Sequence, residues 1–286
     1  MTLSNKLELL VNSFPVYLQP PIKNSTKALI EYFETNGVSF NQNDYSTALP
    51  GKNEFIEDLL KSWSRSDYLR ESCVYAPETV KRWAEADSPL YSQHSELYFF
   101  QELEREILAV DDEAGLMKVL RDYRRQEMMR LMARDILQLA DLRETLADVS
   151  ALADASVVVT LNYLYSLLIK KYGRPMSRQQ EDRPAEQQYM LIMAMGKHGA
   201  KELNVSSDID LIFAYPESGE TDHSEKSIDN QLFFTRLGQK LIHALDHINA
   251  DGFVFRVDMR LRPYGDSGAL ALNFSSFEDY YYTQGR

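Results

Sequence analysis

The spacing of apolar residues changes once along this chain, and that change limits the folds open to it. Up to about residue 172 apolar side chains recur at helical spacing, as at Leu161, Leu164 and Leu168. Beyond residue 188 the apolar runs are short and bounded by Gly, Pro and polar clusters, as is typical of strands. The pattern predicts three parts: a helical region at 1–172, a polar linker at 173–188 and a strand-containing domain at 189–286.

The second domain is expected to alternate strands with one long helix. The apolar runs predict strands at 189–195, 208–215 and 253–262, with a shorter one at 270–272. Ser227 is the expected N-cap of a helix that runs to about residue 248. The acidic loop between 216 and 227 is expected to be exposed. Strand, strand, helix, strand indicates an α+β or α/β fold, and a single sequence leaves the strand order open.

Composition narrows the class of protein. The formal net charge of -12 disfavours a general nucleic-acid binder, because such proteins neutralise phosphates with Lys and Arg patches. Cys73 is the only cysteine, so the chain forms no internal disulfide and no cysteine metal site, which fits a reducing cytoplasm. The N-terminus lacks the apolar core of a secretory signal, and the longest apolar stretch, Val157–Ile169, is shorter than the roughly 20 residues that span a bilayer. We expect a cytoplasmic protein without nucleic-acid or membrane partners.

Two aspartates occupy alternate positions at the start of the second predicted strand. Residues two apart in a strand share a face, so Asp208 and Asp210 point the same way while Ile209 and Leu211 face a core. Two carboxylates on one face repel each other unless a cation lies between them. Hard oxygen ligands of this kind suit Mg²⁺.

The predicted strand 253–262 alternates apolar and charged residues over its whole length. We expect an apolar face made of Phe253, Phe255, Val257, Met259 and Leu261. The opposite face would carry Arg256, Asp258, Arg260 and Arg262. Asp258 would be a third carboxylate, able to bridge a second metal ion, and arginines supply planar donors suited to phosphate oxygens.

A glycine-containing turn links the first two predicted strands. Gly196 and the residues after it allow backbone N–H groups to approach a phosphate, with Lys197, Ser206 and Ser207 as further donors. Taken singly, each feature also fits a structural role: a solvated strand end, an exposed salt-bridged strand or an ordinary turn. Their joint occurrence in this order favours a phosphoryl-transfer site.

Four segments resemble the glutamine synthetase adenylyltransferase family. They are 195–213 (MGKHGAKELNVSSDIDLIF), 251–263 (DGFVFRVDMRLRP), 120–128 and 144–154, so the resemblance covers roughly residues 100 to 286. Ala194, His198 and Ala200 stand where the family usually has Gly, Leu and Gly.

The resemblance implies an α+β fold in which a helical region precedes a nucleotidyltransferase domain with a polymerase beta-like mixed sheet and flanking helices. The family enzyme is bifunctional: one copy of the domain removes AMP from a tyrosine of glutamine synthetase by phosphorolysis, giving ADP, and the other attaches AMP from ATP. The family's metal-binding, catalytic acids fall on Asp208, Asp210 and Asp258, which implies Mg²⁺, as two ions, and an adenine nucleotide. Glutamine synthetase and the PII signalling protein are the implied partners in nitrogen metabolism.

Within the family, this chain most resembles the deadenylylating half. Two alternatives stay open at this point. Adenylylation with ATP would use the same carboxylates, and a non-catalytic fragment would bind glutamine synthetase or a regulator through its helices. Family domains continue beyond the pattern present here, so we expect the 189–286 domain to be shorter at its C-terminal side.

Overall fold

A computed structural model describes residues 3–36, 52–85 and 87–284. Packing divides the chain into two compact units. Unit one comprises Met1–His94 and Arg125–Thr145, and unit two comprises Ser95–Arg124 and Leu146–Arg286. The division predicted from the sequence followed periodicity and not packing, so the boundaries at 172 and 189 stay a prediction.

Unit one is helical where it is described, as the apolar spacing predicted. Its first helices are α1 (Leu3–Asn12), α2 (Gln19–Thr35), α3 (Lys52–Trp63), α4 (Asp67–Tyr75) and α5 (Pro77–Trp83). Prolines lie at the first turns of α2 and α5, where the missing N–H costs nothing. Trp63, Trp83 and Phe33 are almost fully buried in one core.

Unit two contains further helices and the sheet. The helices are α6 (Glu96–Ile107), α7 (Glu113–Ile136, in unit two up to Arg124), α8 (Leu142–Tyr172, in unit two from Leu146), α9 (Gly196–Gly199), α10 (Asn230–Asp246) and α11 (Phe274–Gln284). By length and composition α8 would also suffice to cross a membrane, but half of its apolar window is buried inside the fold. Val149, Leu152 and Leu164 are among its buried residues, as in a core helix.

The sheet is mixed and centred on one strand. Its strands are β1 (Leu191–Met195), β2 (Ile209–Tyr215), β3 (Val257–Asp258) and β4 (Ala271–Asn273). β1 pairs antiparallel with β2, while β3 and β4 both pair parallel with β2, near its beginning and its end respectively. Helices with a small mixed sheet make the fold α+β, which confirms the predicted class.

β2 is the buried centre of unit two. Ile209, Leu211 and Phe213 are almost fully buried, as the alternation predicted. Tyr215 stacks on Phe234 of α10 with ring centroids 4.6 Å apart, so these odd-numbered residues face α10. Asp210 lies on the alternate face of the same rigid strand.

The predicted strand 253–262 is wrong over most of its length. Only Val257 and Asp258 are in a strand, and the burial does not alternate: Val254 and Phe255 are both buried, whereas Leu261 is half exposed. The chain turns directly after β3, where the Asp258 carboxylate accepts a hydrogen bond from the backbone N–H of Arg260 at 2.8 Å. The predicted apolar and charged faces therefore do not exist as continuous faces.

Two local expectations in the middle of unit two also need correction. Asp229, and not Ser227, caps α10, accepting from the N–H of Leu232 at 2.8 Å. The acidic loop is not exposed throughout, because Thr221 is 4% exposed and the loop pairs with the segment predicted as a linker. The N–H of Met176 donates to the carbonyl of Glu220 at 3.0 Å.

Candidate functional site

Asp210 lies where β1, β2 and β3 meet. In the sheet register it is paired with Met195 of β1 on one side and with Asp258 of β3 on the other. Gly196 follows Met195 with φ +55, a left-handed conformation that glycine adopts readily. A Cβ at residue 196 would collide with Oδ2 of Asp210. The glycine turn, Asp210 and Asp258 are therefore brought together.

Asp208 lies just before β2 and is engaged by an arginine. Arg256 Nε donates to Oδ1 of Asp208, and its Nη2 donates to the carbonyl of Ser206 at 2.7 Å. The backbone N–H of Ile209 donates to the carbonyl of Arg256 at 2.9 Å. Arg256 thus joins the start of β2 to the segment that leads into β3.

Asp258 is engaged by a second arginine. Arg260 Nε donates to Oδ2 at 2.8 Å, and Arg260 Nη2 forms an ion pair with the same oxygen. The side-chain hydrogen bonds from Arg260, and after them the bond from its backbone N–H, hold the pKa of the Asp258 carboxyl below its usual range. The Arg260 side chain is 75% exposed, so solvent surrounds most of this guanidinium.

Asp210 is electrostatically different from its two neighbours. Burial raises the pKa of the Asp210 carboxyl, and the charges of Asp258 and Asp208 raise it further, while Arg260 and His198 partly oppose them. Within the described part of the chain no hydrogen bond or ion pair engages this carboxylate. A bound cation would offset the repulsion from Asp258 and Asp208, so the charge arrangement fits a divalent metal.

The donor set fits Mg²⁺ in kind, but the side chains are not assembled around one point. Among residues 3–36, 52–85 and 87–284, no group of three or more His, Cys, Asp or Glu side chains is placed to hold a metal ion. Asp208 and Asp258 bind arginines in this arrangement. Arg260 engages both oxygens of Asp258 and would have to release one for a cation, whereas Arg256 engages only Oδ1 of Asp208. With Asp210 these residues would supply three hard carboxylate ligands.

The remaining predicted site residues differ in where the structure places them relative to the aspartates. Arg262 turns away: its Nη1 donates to the carbonyl of Met259 at 2.8 Å, and its nearest carboxylate is Asp266 at 3.6 Å. Lys197 is exposed on α9, next to Gly196. Ser206 and Ser207 form a local turn with Asn204, whose side-chain oxygen accepts from Ser206 Oγ at 3.1 Å and whose N–H donates to Ser207 Oγ at 3.2 Å.

Sequence reasoning missed a buried histidine behind the glycine turn. His198 is 3% exposed, and its Nε2 lies 2.7 Å from Oδ1 of Asp154 on α8. A carboxylate can only accept, so the ring nitrogen is the donor. The two residues are far apart in sequence, and only the family-like segment 144–154 pointed to this part of α8.

A buried arginine that binds the segment leading into β3 was likewise not predicted from the sequence. Arg121 is 1% exposed, and burial lowers the pKa of its guanidinium. Its Nε donates to the carbonyl of Gly252 at 2.9 Å, and its Nη1 donates to the carbonyl of Ala244 at 3.2 Å. Nη2 donates to the carbonyl of His247, the C-cap of α10. The positive side chain thus satisfies carbonyls at the negative end of the helix.

The α+β fold is consistent with a nucleotidyltransferase-like domain. A model of the family described as glutamate-ammonia ligase adenylyltransferase matches residues 56–286. The chain belongs to this family.

Curated relatives agree with this assignment. The chain is 44% identical over 236 residues to the bifunctional glutamine synthetase adenylyltransferase/adenylyl-removing enzyme of Hahella chejuensis. The aligned segment covers 81% of this chain and 24% of that protein. It is 45% identical over 233 residues to the protein of the same name from Pseudomonas aeruginosa, covering 82% of this chain and 23% of the relative. The chain spans about a quarter of the length of the curated relatives it matches.

Proposed function

We propose that this chain removes AMP from the adenylylated tyrosine of glutamine synthetase by Mg²⁺-dependent phosphorolysis, giving ADP. The observation that carries the proposal is the register of Asp210 with Asp258, directly beside a glycine turn that leaves no room for a side chain. The names of the relatives include both adenylyl transfer and adenylyl removal from this substrate. The catalytic and metal-binding role of Asp208, Asp210 and Asp258 is part of the proposal.

The reaction balances as a single displacement at phosphorus. An oxygen of inorganic phosphate forms a bond to the AMP phosphorus, the bond from phosphorus to the tyrosine oxygen breaks, and the tyrosine leaves and takes up a proton. Mg²⁺ bound to the aspartates would neutralise the charge on the transferring group. Arg256 and Arg260 are exposed and close to the carboxylates, so they can hold phosphate oxygens once they release Asp208 and Asp258.

The direction of the reaction is the finer part of the proposal. Transfer of AMP from ATP would use the same carboxylates, and removal is preferred because the helices α1 to α8 precede the site and the chain resembles the deadenylylating half of the family. Control by PII and a cytoplasmic location belong to the same proposal.

The test supplies the full chain with adenylylated glutamine synthetase, Mg²⁺ and phosphate, and measures ADP. We expect ADP from the wild type and none from Asp210→Asn. Asp279→Asn, an exposed aspartate on α11, is the matched control and should retain activity. Absence of ADP from the wild type would remove the proposal.

Two further measurements separate the alternatives. Pyrophosphate released from ATP and unmodified glutamine synthetase would reverse the proposed direction. Calorimetry with ADP and Mg²⁺ tests for a purely structural module, which would show no metal-dependent nucleotide binding.

A further inference from the structure

We infer that Ser150 and Asp154 of α8 are positioning residues that hold the loop at 196–207, here called the site loop, against the sheet. This inference rests on the proposed function, in which the site loop carries Gly196 and leads into Asp208. Neither residue touches the aspartates, and each would act through the site loop.

The two residues lie one helical turn apart, on the same face of α8. Asp154 accepts from the His198 ring at 2.7 Å, and Ser150 Oγ accepts from the backbone N–H of Leu203 at 3.2 Å. Ser150 Oγ also donates to the carbonyl of Leu146 at 2.8 Å, which fixes the orientation of the hydroxyl. One face of α8 therefore holds the site loop at two points, five residues apart.

The Leu203–Ser150 point is fully buried, and at the other point His198 is buried while the Asp154 side chain is 28% exposed. Leu203 and Ser150 are 0% exposed, and His198 is 3% exposed. Within the described residues His198 Nδ1 is buried without a hydrogen-bond partner. An apolar side chain would fill this space without leaving a buried polar atom unsatisfied, so packing alone does not explain an imidazole here. Its one directional bond to Asp154 sets the orientation of the turn.

The connection from His198 to Asp210 is short. α9 is a single turn, Gly196–Gly199, so a shift of His198 moves Gly196 with it. Gly196 touches the Asp210 carboxylate closely enough to exclude a Cβ. Two other tethers of the site loop are exposed: Lys201 Nζ pairs with Glu96 at 3.0 Å, and Arg256 Nη2 donates to the carbonyl of Ser206 at 2.7 Å. Solvent weakens both, so each contributes less than a buried bond. Position is therefore set mainly by α8.

The chain offers a matched set of variants on α8. Ser150→Ala removes a hydroxyl that bonds both its own helix and the site loop. Ser156→Ala removes a buried hydroxyl that bonds only its own helix, at the Leu152 carbonyl (2.7 Å). Asp154→Ala removes the acceptor for His198, and Asp154→Asn keeps an oxygen acceptor at the same place.

We expect kcat for phosphorolysis to fall on the order of 10-fold in Asp154→Ala and about 5-fold in Ser150→Ala, as for the loss of one buried hydrogen bond. KM for phosphate should change less, because the arginines stay in place. Asp154→Asn should recover most of the loss, and Ser156→Ala should match the wild type. A Ser156→Ala loss equal to that of Ser150→Ala would show a general effect on α8 and overturn the inference.

Hydrogen exchange of the site-loop amides in the full chain gives a readout independent of activity. Exchange at 197–207 should be faster in Asp154→Ala and Ser150→Ala and unchanged in Ser156→Ala. Unchanged exchange in the first two, or faster exchange with wild-type kcat, refutes the positioning role. If the wild type transfers no adenylyl group in either direction, the proposed function has failed, while faster exchange in those two variants alone would still support α8 as the anchor of the loop.

Discussion

Replacing Gly196 by alanine is a direct test of the geometry around Asp210. The new Cβ would meet the Asp210 carboxylate, which would have to retreat by about 1 Å to restore an ordinary contact of 3.4 Å. The backbone would also be strained, since φ is +55 and an L-residue in this region costs about 1–2 kcal/mol. The variant thus combines a modest loss of stability with displacement of a proposed metal ligand.

The two effects have different sizes. The backbone strain should lower Tm by a few °C, at about 2–4 °C per kcal/mol for a chain of this size class. A misplacement of about 1 Å at a reacting centre costs roughly 100-fold in rate. We therefore expect kcat for ADP formation to fall about 100-fold in a protein that remains folded at the assay temperature.

Gly265→Ala separates strain from collision. Gly265 has φ +54, and a Cβ there would meet only the Arg260 carbonyl at 3.7 Å, an ordinary contact. Gly265→Ala should lose a similar amount of stability and keep kcat within about 3-fold of wild type. The reasoning is refuted if Gly196→Ala retains wild-type kcat, or if Gly265→Ala loses as much activity as Gly196→Ala.

Three other substitutions follow from the charges and hydrogen bonds. Asp210→Asn should abolish turnover yet raise Tm at pH 7. Because the folded-state pKa of Asp210 is raised, the wild type loses stability as pH rises from the usual aspartate pKa of about 3.9 to the raised value. Thermal melts below that interval should show no difference between the variant and the wild type. Arg260→Gln should lower Tm at pH 7, because the lowered pKa of Asp258 contributes stability above the usual aspartate pKa, and this stability is lost as pH falls through the lowered value. The Tm of the variant should therefore converge with that of the wild type only in acid. A difference in Tm that is constant with pH would contradict this. Arg121→Met should cost on the order of 3–5 kcal/mol, because several backbone carbonyls lose their donor, whereas Arg105→Met, at an exposed ion pair, should change stability by less than about 1 kcal/mol in the same denaturant titration.

The central part of the fold could be predicted because local pattern and packing agree there. The run from Ile209 to Tyr215 is apolar and bounded by Asp208 and Pro216, and the structure has a strand at that place. The apolar positions of α10 recur at helical spacing and face β2, so the helix could be predicted from the sequence although its N-cap could not. The position of Asp210 on β2 could be predicted for the same reason, although Asp208 lies just before the strand.

The region after Phe253 shows why the rest was not predictable. Its alternation of apolar and charged residues is that of a strand, yet Asp258 uses its carboxylate to bind the N–H of Arg260 and the chain turns. Arg262 follows the turn toward Asp266 and leaves the site. The Asp154–His198 pair could not be predicted for a different reason, since it joins residues of separate elements that only tertiary packing brings together.

The site combines one fixed carboxylate with two adjustable ones. Asp210 belongs to a strand whose other residues are almost all fully buried, so its position is set by the core. Asp208 and Asp258 lie where the strands begin or end, and each is bound to an exposed arginine. In the proposed reaction a cation and these arginines compete for the same two carboxylates. Cation binding would therefore free guanidinium donors for phosphate, and by linkage bound phosphate would favour the cation to the same extent.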